Sequence, residues 1–313
     1  MKVGKEQMEV TQMEVTQNDI TQTDVVRTDN TQTDVIQTAI AQTDVKQTNL
    51  ITNNINLNDI KLFVLDMDGT FYLGDKIFDG SLGFLEKVKE TGREFIFFTN
   101  NSSKAPENYI EKLKKMNCII SRKDIMTSGD VTIEYLKVHH QDSNVYLLGT
   151  KELEKSFREE GINLVEENPD IVVVGFDMTL TYEKLEKACT YIRKGAKFIA
   201  THLDVNCPTE EGFIPDCGAI CAAIKLSTGI EPEFMGKPLG RTVEMIEQRT
   251  HYNREEIAFV GDRLYTDVAT GVNNQSMGIL VLSGETTLAD IEKSEITPNF
   301  IYPSLKEIGE DLI

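Results

Sequence analysis

Residues 61–70 read KLFVLDMDGT, and the abrupt change from apolar to acidic within this stretch decides the fold. The apolar run at 61–65 has the length of a buried strand, and it stops directly at Asp66 and Asp68. Working outward, the same punctuation recurs. Strands are predicted at 94–98, 144–148, 171–176, 197–200, 257–260 and 278–282, and helices at 82–89, 105–116, 151–160, 182–194 and 239–249. Strands alternating with helices predict an α/β fold built on a parallel, doubly wound sheet. Ligands of such sheets bind at the carboxyl ends of the strands, which is where Asp66 and Asp68 fall. Two carboxylates there can divide the work of phosphoryl chemistry. One stays ionised to attack phosphorus, and the other holds a proton for the leaving oxygen, because neighbouring carboxylates push their pKa values apart.

Three further segments sit at strand ends or helix starts. They are TNNSS at 99–103, GKP at 236–238 and GDRLYTD at 261–267. Each has an ordinary reading when taken alone. D-x-D-G is common in surface turns, Ser102 or Ser103 could cap a helix, most lysines are merely solvated, and Thr266 or Asp267 could cap a helix start. Together they fit one chemistry. Hydroxyls, amides and backbone N–H groups cradle phosphate oxygens, a lysine neutralises one of them, and acidic residues suit Mg²⁺, a hard cation that takes oxygen ligands. All are needed, since a carboxylate approaching a phosphate at ~4 Å is repelled by roughly 4 kcal/mol per charge pair at an effective dielectric of 20. A divalent metal and a lysine reverse that sign.

DMDGT, FTNNSS, GKP and GDRLYTD resemble the four motifs of the haloacid dehalogenase superfamily, over nearly everything from residue 58 to the end. The insert between the second and third motifs carries VVVGFD, TYEKLEKA, GAKFIATHLD and PDCGAICAAI, which are similar to the α/β cap of the NagD/4-nitrophenylphosphatase-like group. The resemblance implies a Rossmann-like core at 58–140 and 235–313, with an inserted α/β C2-type cap at 141–234. It implies that Asp66 is the nucleophile and Asp68 the general acid/base. It implies Mg²⁺ held by the Asp66 carboxylate, the Asp68 backbone carbonyl and Asp262, with Asp267 supporting the metal site from behind. Thr99, Asn100 and Lys237 would bind the phosphoryl group, and Arg263 and Thr266 would lie near the substrate. In the cap, THLD has His202 where many relatives have Asn, so His202 and Asp204 are expected either to tune substrate choice or to be a loop histidine and a structural carboxylate. The implied activity is hydrolysis of small phosphorylated metabolites. Asp68 argues against a dehalogenase, which lacks that acid. The cap is expected to open and close, and a homodimer through it is one implied assembly.

Composition narrows the alternatives. The net charge of −19 repels nucleic acid and anionic lipid. No stretch approaches the ~18 apolar residues of a membrane span, and the first residues lack the apolar core of a signal peptide, so a cytoplasmic protein is expected. Cys118, Cys189, Cys207, Cys217 and Cys221 are odd in number and irregular in spacing, which predicts reduced thiols. Residues 1–57 stand apart. From Glu6 the chain repeats in fives (EQMEV, TQMEV, TQNDI, TQTDV), a period that gives neither a helical stripe nor a strand face. The segment is expected to be a disordered tail that cannot bury enough apolar surface; the alternative is a small stacked solenoid resembling pentapeptide-repeat β-helices. A second functional class follows from it, an interaction protein working through the tail with a vestigial phosphatase domain.

Overall fold

The computed structural model describes residues 56–209 and 211–313. The expected tail lies, up to residue 55, outside the described residues. Of its last two residues, Asn56 caps the short helix Leu57–Asp59 and Leu57 is buried in the core.

Six parallel strands form the larger sheet, in the order Phe300–Tyr302, Met277–Val281, Ile257–Gly261, Leu62–Leu65, Glu94–Thr99 and Ile125–Thr127. The strand from KLFVL sits in the middle and every residue of it is buried. A parallel strand covered on both faces has no need of polar alternation. Successive side chains go to opposite faces. Phe63, Leu65, Phe95 and Phe97 join one apolar cluster with the helix Ser81–Glu90, while Leu62, Val64, Ile96 and Phe98 join another with the helices Ser128–His139 and Gly240–Thr250. Register then places the chemistry. Leu65 pairs with Val260 and with Phe97, so Asp66, Gly261 and Phe98 stand side by side where three strands end.

A second parallel sheet is formed wholly within residues 145–234, in the order Glu233–Phe234, Lys197–Ala200, Ile171–Val174 and Val145–Leu148. The helices Tyr182–Arg193 and Cys217–Thr228 cover one of its faces through Val172, Val174, Ile192, Ile220 and Ile224. Its other face presents Val145, Ile171, Val173 and Ile199 to the same apolar cluster that holds Leu62, Val64 and Phe98 of the core. Core and cap therefore share one interior. Each buried side chain of that size contributes roughly 1.5–3 kcal/mol, so a cap swinging away as a rigid body would lose several kcal/mol.

The helix Ser128–His139 is absent from the sequence expectation. Its first turns are buried all round, from Ser128 to Ile133, so no amphipathic stripe marks it. The remaining signal is the capping box, in which the Thr127 hydroxyl accepts from the Asp130 N–H at 3.1 Å and the Asp130 carboxylate accepts from the Thr127 N–H at 2.8 Å. The strand Ile125–Thr127 and the antiparallel hairpin Asn206–Thr209 with Gly212–Pro215 also go beyond that expectation. All five cysteines are free. Among the described residues no helix is long and apolar enough to cross a membrane.

Candidate active site

Asp66 leaves the central strand with its carboxylate at the mouth of the sheet, and Lys237 Nζ lies 2.7 Å from its Oδ1. The same ammonium is 2.5 Å from Asp267 Oδ1. Asp66, Asp262 and Asp267 each present a carboxylate oxygen within 4.8 Å of the others, the only such acidic group among the described residues. Three carboxylates against one ammonium leave two negative charges in a largely buried cluster.

The titration of the cluster reflects that excess. Burial, above all, pushes the Asp66 carboxyl up to about 7. Lys237 opposes the shift, and Asp267 and Asp262 add to it. Burial and the charge of Asp267 raise Asp262 to about 6. Burial would lower the pKa of Lys237, but Asp267 and Asp66 outweigh it and hold the ammonium above its usual range. Asp68 is more open to solvent. Neighbouring protein still strips part of its hydration, which raises its carboxyl, while Lys112 and Arg263 pull the other way. A raised carboxyl is suited to carrying a proton.

Local folding fixes these groups closely. Gly69 adopts φ +88°, and a Cβ there would stand 2.5 Å from Asp262 Oδ2, so only glycine lets the DMDGT turn pass this close to Asp262. The Thr70 hydroxyl donates to Asp262 Oδ1 at 3.3 Å, and the Glu285 N–H donates to Asp262 Oδ2 at 2.7 Å. The Ser283 hydroxyl donates to the Gly69 carbonyl at 2.8 Å. Thr70, Ser283 and Glu285 are missing from the sequence-based set. Residues 283–286 begin two positions after the strand Met277–Val281 ends, so the rule that singled out the other strand ends also points to them.

The remaining expected residues are arranged differently from one another. Thr99 ends its strand half-buried, its hydroxyl accepting from the Asn101 N–H at 3.2 Å. The Asn100 carboxamide is taken up by the main chain of Lys237, accepting from its N–H at 2.8 Å and donating to its carbonyl at 3.0 Å. Its side chain is thus a brace for the Lys237 main chain. Arg263 is half-buried and pairs with Glu285 at 2.9 Å. Thr266 does not face outward toward a substrate. It is buried and its hydroxyl donates to Asp267 Oδ2 at 3.3 Å, within a single π-helical turn, Leu264–Val268, that replaces the ordinary helix start. Such turns recur at functional sites. Asp267 is held by Lys237, Thr266 and the Arg263 N–H.

His202 is also placed otherwise than as a selector of substrate. It has no exposed surface; Nε2 bonds Asp216 Oδ1 at 2.8 Å, and Nδ1 lies 3.0 Å from the Thr201 hydroxyl and 3.3 Å from the Ser128 hydroxyl. Around it runs a polar latch between core and cap. The Ser102 hydroxyl meets Thr201 at 2.9 Å and accepts from the Phe176 N–H at 2.9 Å, and the Thr150 hydroxyl donates to the Ser103 carbonyl at 2.9 Å. Asp204 is half-buried and accepts from Asn100 Nδ2 at 3.1 Å.

Comparison with known proteins identifies the family. Residues 63–163 match the family model for haloacid dehalogenase-like hydrolases, and residues 234–308 match a HAD-hydrolase-like model. An acid sugar phosphatase of Staphylococcus saprophyticus is 35% identical over 257 residues, covering 80% of this chain and 98% of that protein. The solved structure of a 4-nitrophenylphosphatase from Thermotoga maritima is 48% identical, with a TM-score of 0.79 over 82% of this chain and 99% of that one. NagD from E. coli is 29% identical, with a TM-score of 0.74 over 79% and 98%. The chain belongs to the haloacid dehalogenase-like hydrolases, in their NagD-like group of phosphatases.

Proposed function

We propose that the protein is a Mg²⁺-dependent phosphomonoesterase acting on small phosphorylated metabolites through a phospho-aspartate at Asp66. The observation that carries this reading is the convergence of Asp66, Asp262, Asp267 and Lys237 at one sheet end, with more negative charge than the lysine can balance. The donor set fits the metal, being oxygen only and in net acidic excess. Asp66, Asp262 and the backbone carbonyl of Asp68 would hold it, with Asp267 supporting the site. When bound, Mg²⁺ supplies positive charge that offsets repulsion between Asp66 and the phosphoryl oxygens.

Lys237 orients the Asp66 carboxylate and contributes its charge to the phosphoryl group. An Asp66 oxygen forms a bond to phosphorus as the ester P–O bond breaks, and Asp68 gives its proton to the departing oxygen. Water then attacks the acyl phosphate while Asp68 takes the proton back, which releases inorganic phosphate and restores Asp66. Thr99 and the backbone of residues 99–101 border the phosphoryl oxygens. Arg263 lies further out.

The acid sugar phosphatase relatives make sugar phosphates the first substrate class to examine. The enzyme is read as cytoplasmic and independent of nucleic acid and membranes, with a cap-mediated homodimer as the assembly that sedimentation would detect. An interaction role for the repeat segment concerns residues outside the described part of the chain. The test is phosphate release from 4-nitrophenyl phosphate with and without Mg²⁺, followed by a phosphometabolite panel ranked by kcat/KM. Turnover that survives both chelation and Asp66→Asn would rule the reading out.

A further inference from the structure

Asn100 is the junction between the cap and the catalytic lysine. A carboxamide has one acceptor oxygen and two N–H donors. The oxygen takes the Lys237 N–H, one donor goes to the Lys237 carbonyl, and Nδ2 also donates to Asp204 Oδ2 of the cap. The Asp204 carboxylate can only accept, so it favours the orientation of Asn100 that grips both main-chain groups of Lys237. A flipped carboxamide would set oxygen against carboxylate. The approach is close because Gly236 is glycine. It adopts φ +72°, and a Cβ there would lie 2.8 Å from Asn100 Oδ1 and 2.9 Å from the Thr201 carbonyl. From this braced backbone the Lys237 side chain reaches Asp66 and Asp267.

We propose that Asp204 is a positioning residue, which sets Lys237 against Asp66 by way of Asn100. The inference rests on Asp66 being the nucleophile, and it moves Asp204 from substrate selection to the alignment of the reacting groups. Misplacement of a catalytic group by about 1 Å can cost about a hundredfold in rate.

Steady-state kinetics of the full chain with Mg²⁺, on 4-nitrophenyl phosphate and two phosphomonoesters with unlike leaving groups, test it. Asp204→Ala is expected to lower kcat about tenfold to a hundredfold on all three, with KM changed less than about threefold. Asp204→Asn keeps an oxygen able to accept from Asn100, and is expected to restore kcat to within about threefold of wild type. In an Asn100→Ala background, Asp204→Ala should cost nothing more, since the route runs through Asn100. A readout independent of turnover is the Lys237 backbone amide resonance in chelator-treated, ¹⁵N-lysine-labelled protein, which should shift in Asp204→Ala and stay in place in Asp204→Asn. The proposal is overturned if the loss falls in KM on one substrate alone, if the two substitutions are additive, if Asp204→Asn is as impaired as Asp204→Ala, or if the amide does not move. Turnover by Asp66→Asn would instead remove the nucleophile assignment on which it rests.

Discussion

Two buried polar clusters flank Asn100 and differ in how well they are balanced. In the latch, Ser102, Ser128, Thr201, His202 and Asp216 are each hydrogen-bonded, and His202 faces a single carboxylate partner. At the catalytic end, three carboxylates converge on one ammonium that pairs with only two of them, Asp66 and Asp267, and Asp66 and Asp262 are pushed well above the ordinary carboxylate range. Burying charge without full compensation costs several kcal/mol. A fold retains such a cluster when something outside the chain completes it, whereas the balanced latch is explained by joining core to cap. Unsatisfied charge marks the working part of the site, and satisfied polarity marks its frame.

The sharpest way to break this contrast is to remove a group from each side. Asp66→Asn should lower kcat on 4-nitrophenyl phosphate by at least about a thousandfold. In chelator its thermal midpoint should be equal to or higher than that of wild type, because a crowded carboxylate is gone; calorimetry reads this directly. A clear fall in that midpoint would mean that the cluster is structural. His202→Ala should behave in the opposite way. Burial disfavours the His202 cation, but Cys217 and Asp216 outweigh it and raise the ring to about 9. Its loss leaves the buried Asp216 carboxylate without a charged partner, held only by the Cys217 N–H that it caps, at a cost of about 3 kcal/mol in urea unfolding, while the ranking of substrates stays the same. Altered ranking at full stability would return His202 to substrate tuning, one of the two roles the sequence left open.

pH sharpens the comparison at a smaller scale. Asp66 and Asp262 have raised pKa values in the folded state, so the metal-free fold binds more protons than the unfolded chain. Their contribution to stability is present below about pH 4 and is lost as pH rises through about 6 and 7. The wild-type minus Asp66→Asn difference in unfolding free energy, measured in chelator, should therefore decline by roughly 2–3 kcal/mol between pH 5 and pH 8. Saturating Mg²⁺ should offset the decline, adding about 3 kcal/mol at a hundred times its dissociation constant. A difference that rises with pH in chelator would contradict the charge assignment. The smallest expected effect is none: scattering profiles with and without a phosphate-mimicking fluoride complex should superimpose, since the cap shares its interior with the core. A compaction on binding would show the cap swinging as a body, as the sequence alone suggested.

The strand-to-acid transitions were legible because they are local. KLFVL ends at Asp66 in the sequence as in the fold, and IAFVG leads to Asp262 in the same way. The roles of Asn100, His202 and Asp204 were not legible. Asn100 meets Lys237 across 137 positions and Asp204 across 104, and His202 reaches Asp216 only after the helix Cys217–Thr228 packs. The helix Ser128–His139 carried no amphipathic period because core and cap cover its first turns together. In the hairpin Asn206–Thr209 with Gly212–Pro215, exposed residues outnumber the buried pattern that marks a strand. Periodicity records burial against one neighbour, and it fades where two neighbours or none are present.

The central claim is a covalent bond between Asp66 and phosphorus, formed at the cluster whose charge the chain leaves unbalanced. Acid quenching during turnover of a phosphomonoester, followed by peptide mass spectrometry, tests it most directly. The account predicts a phosphoryl group on the peptide holding Asp66, requiring Mg²⁺ and absent in Asp66→Asn. A phosphoryl group trapped on another residue, or the same label in Asp66→Asn, would contradict it.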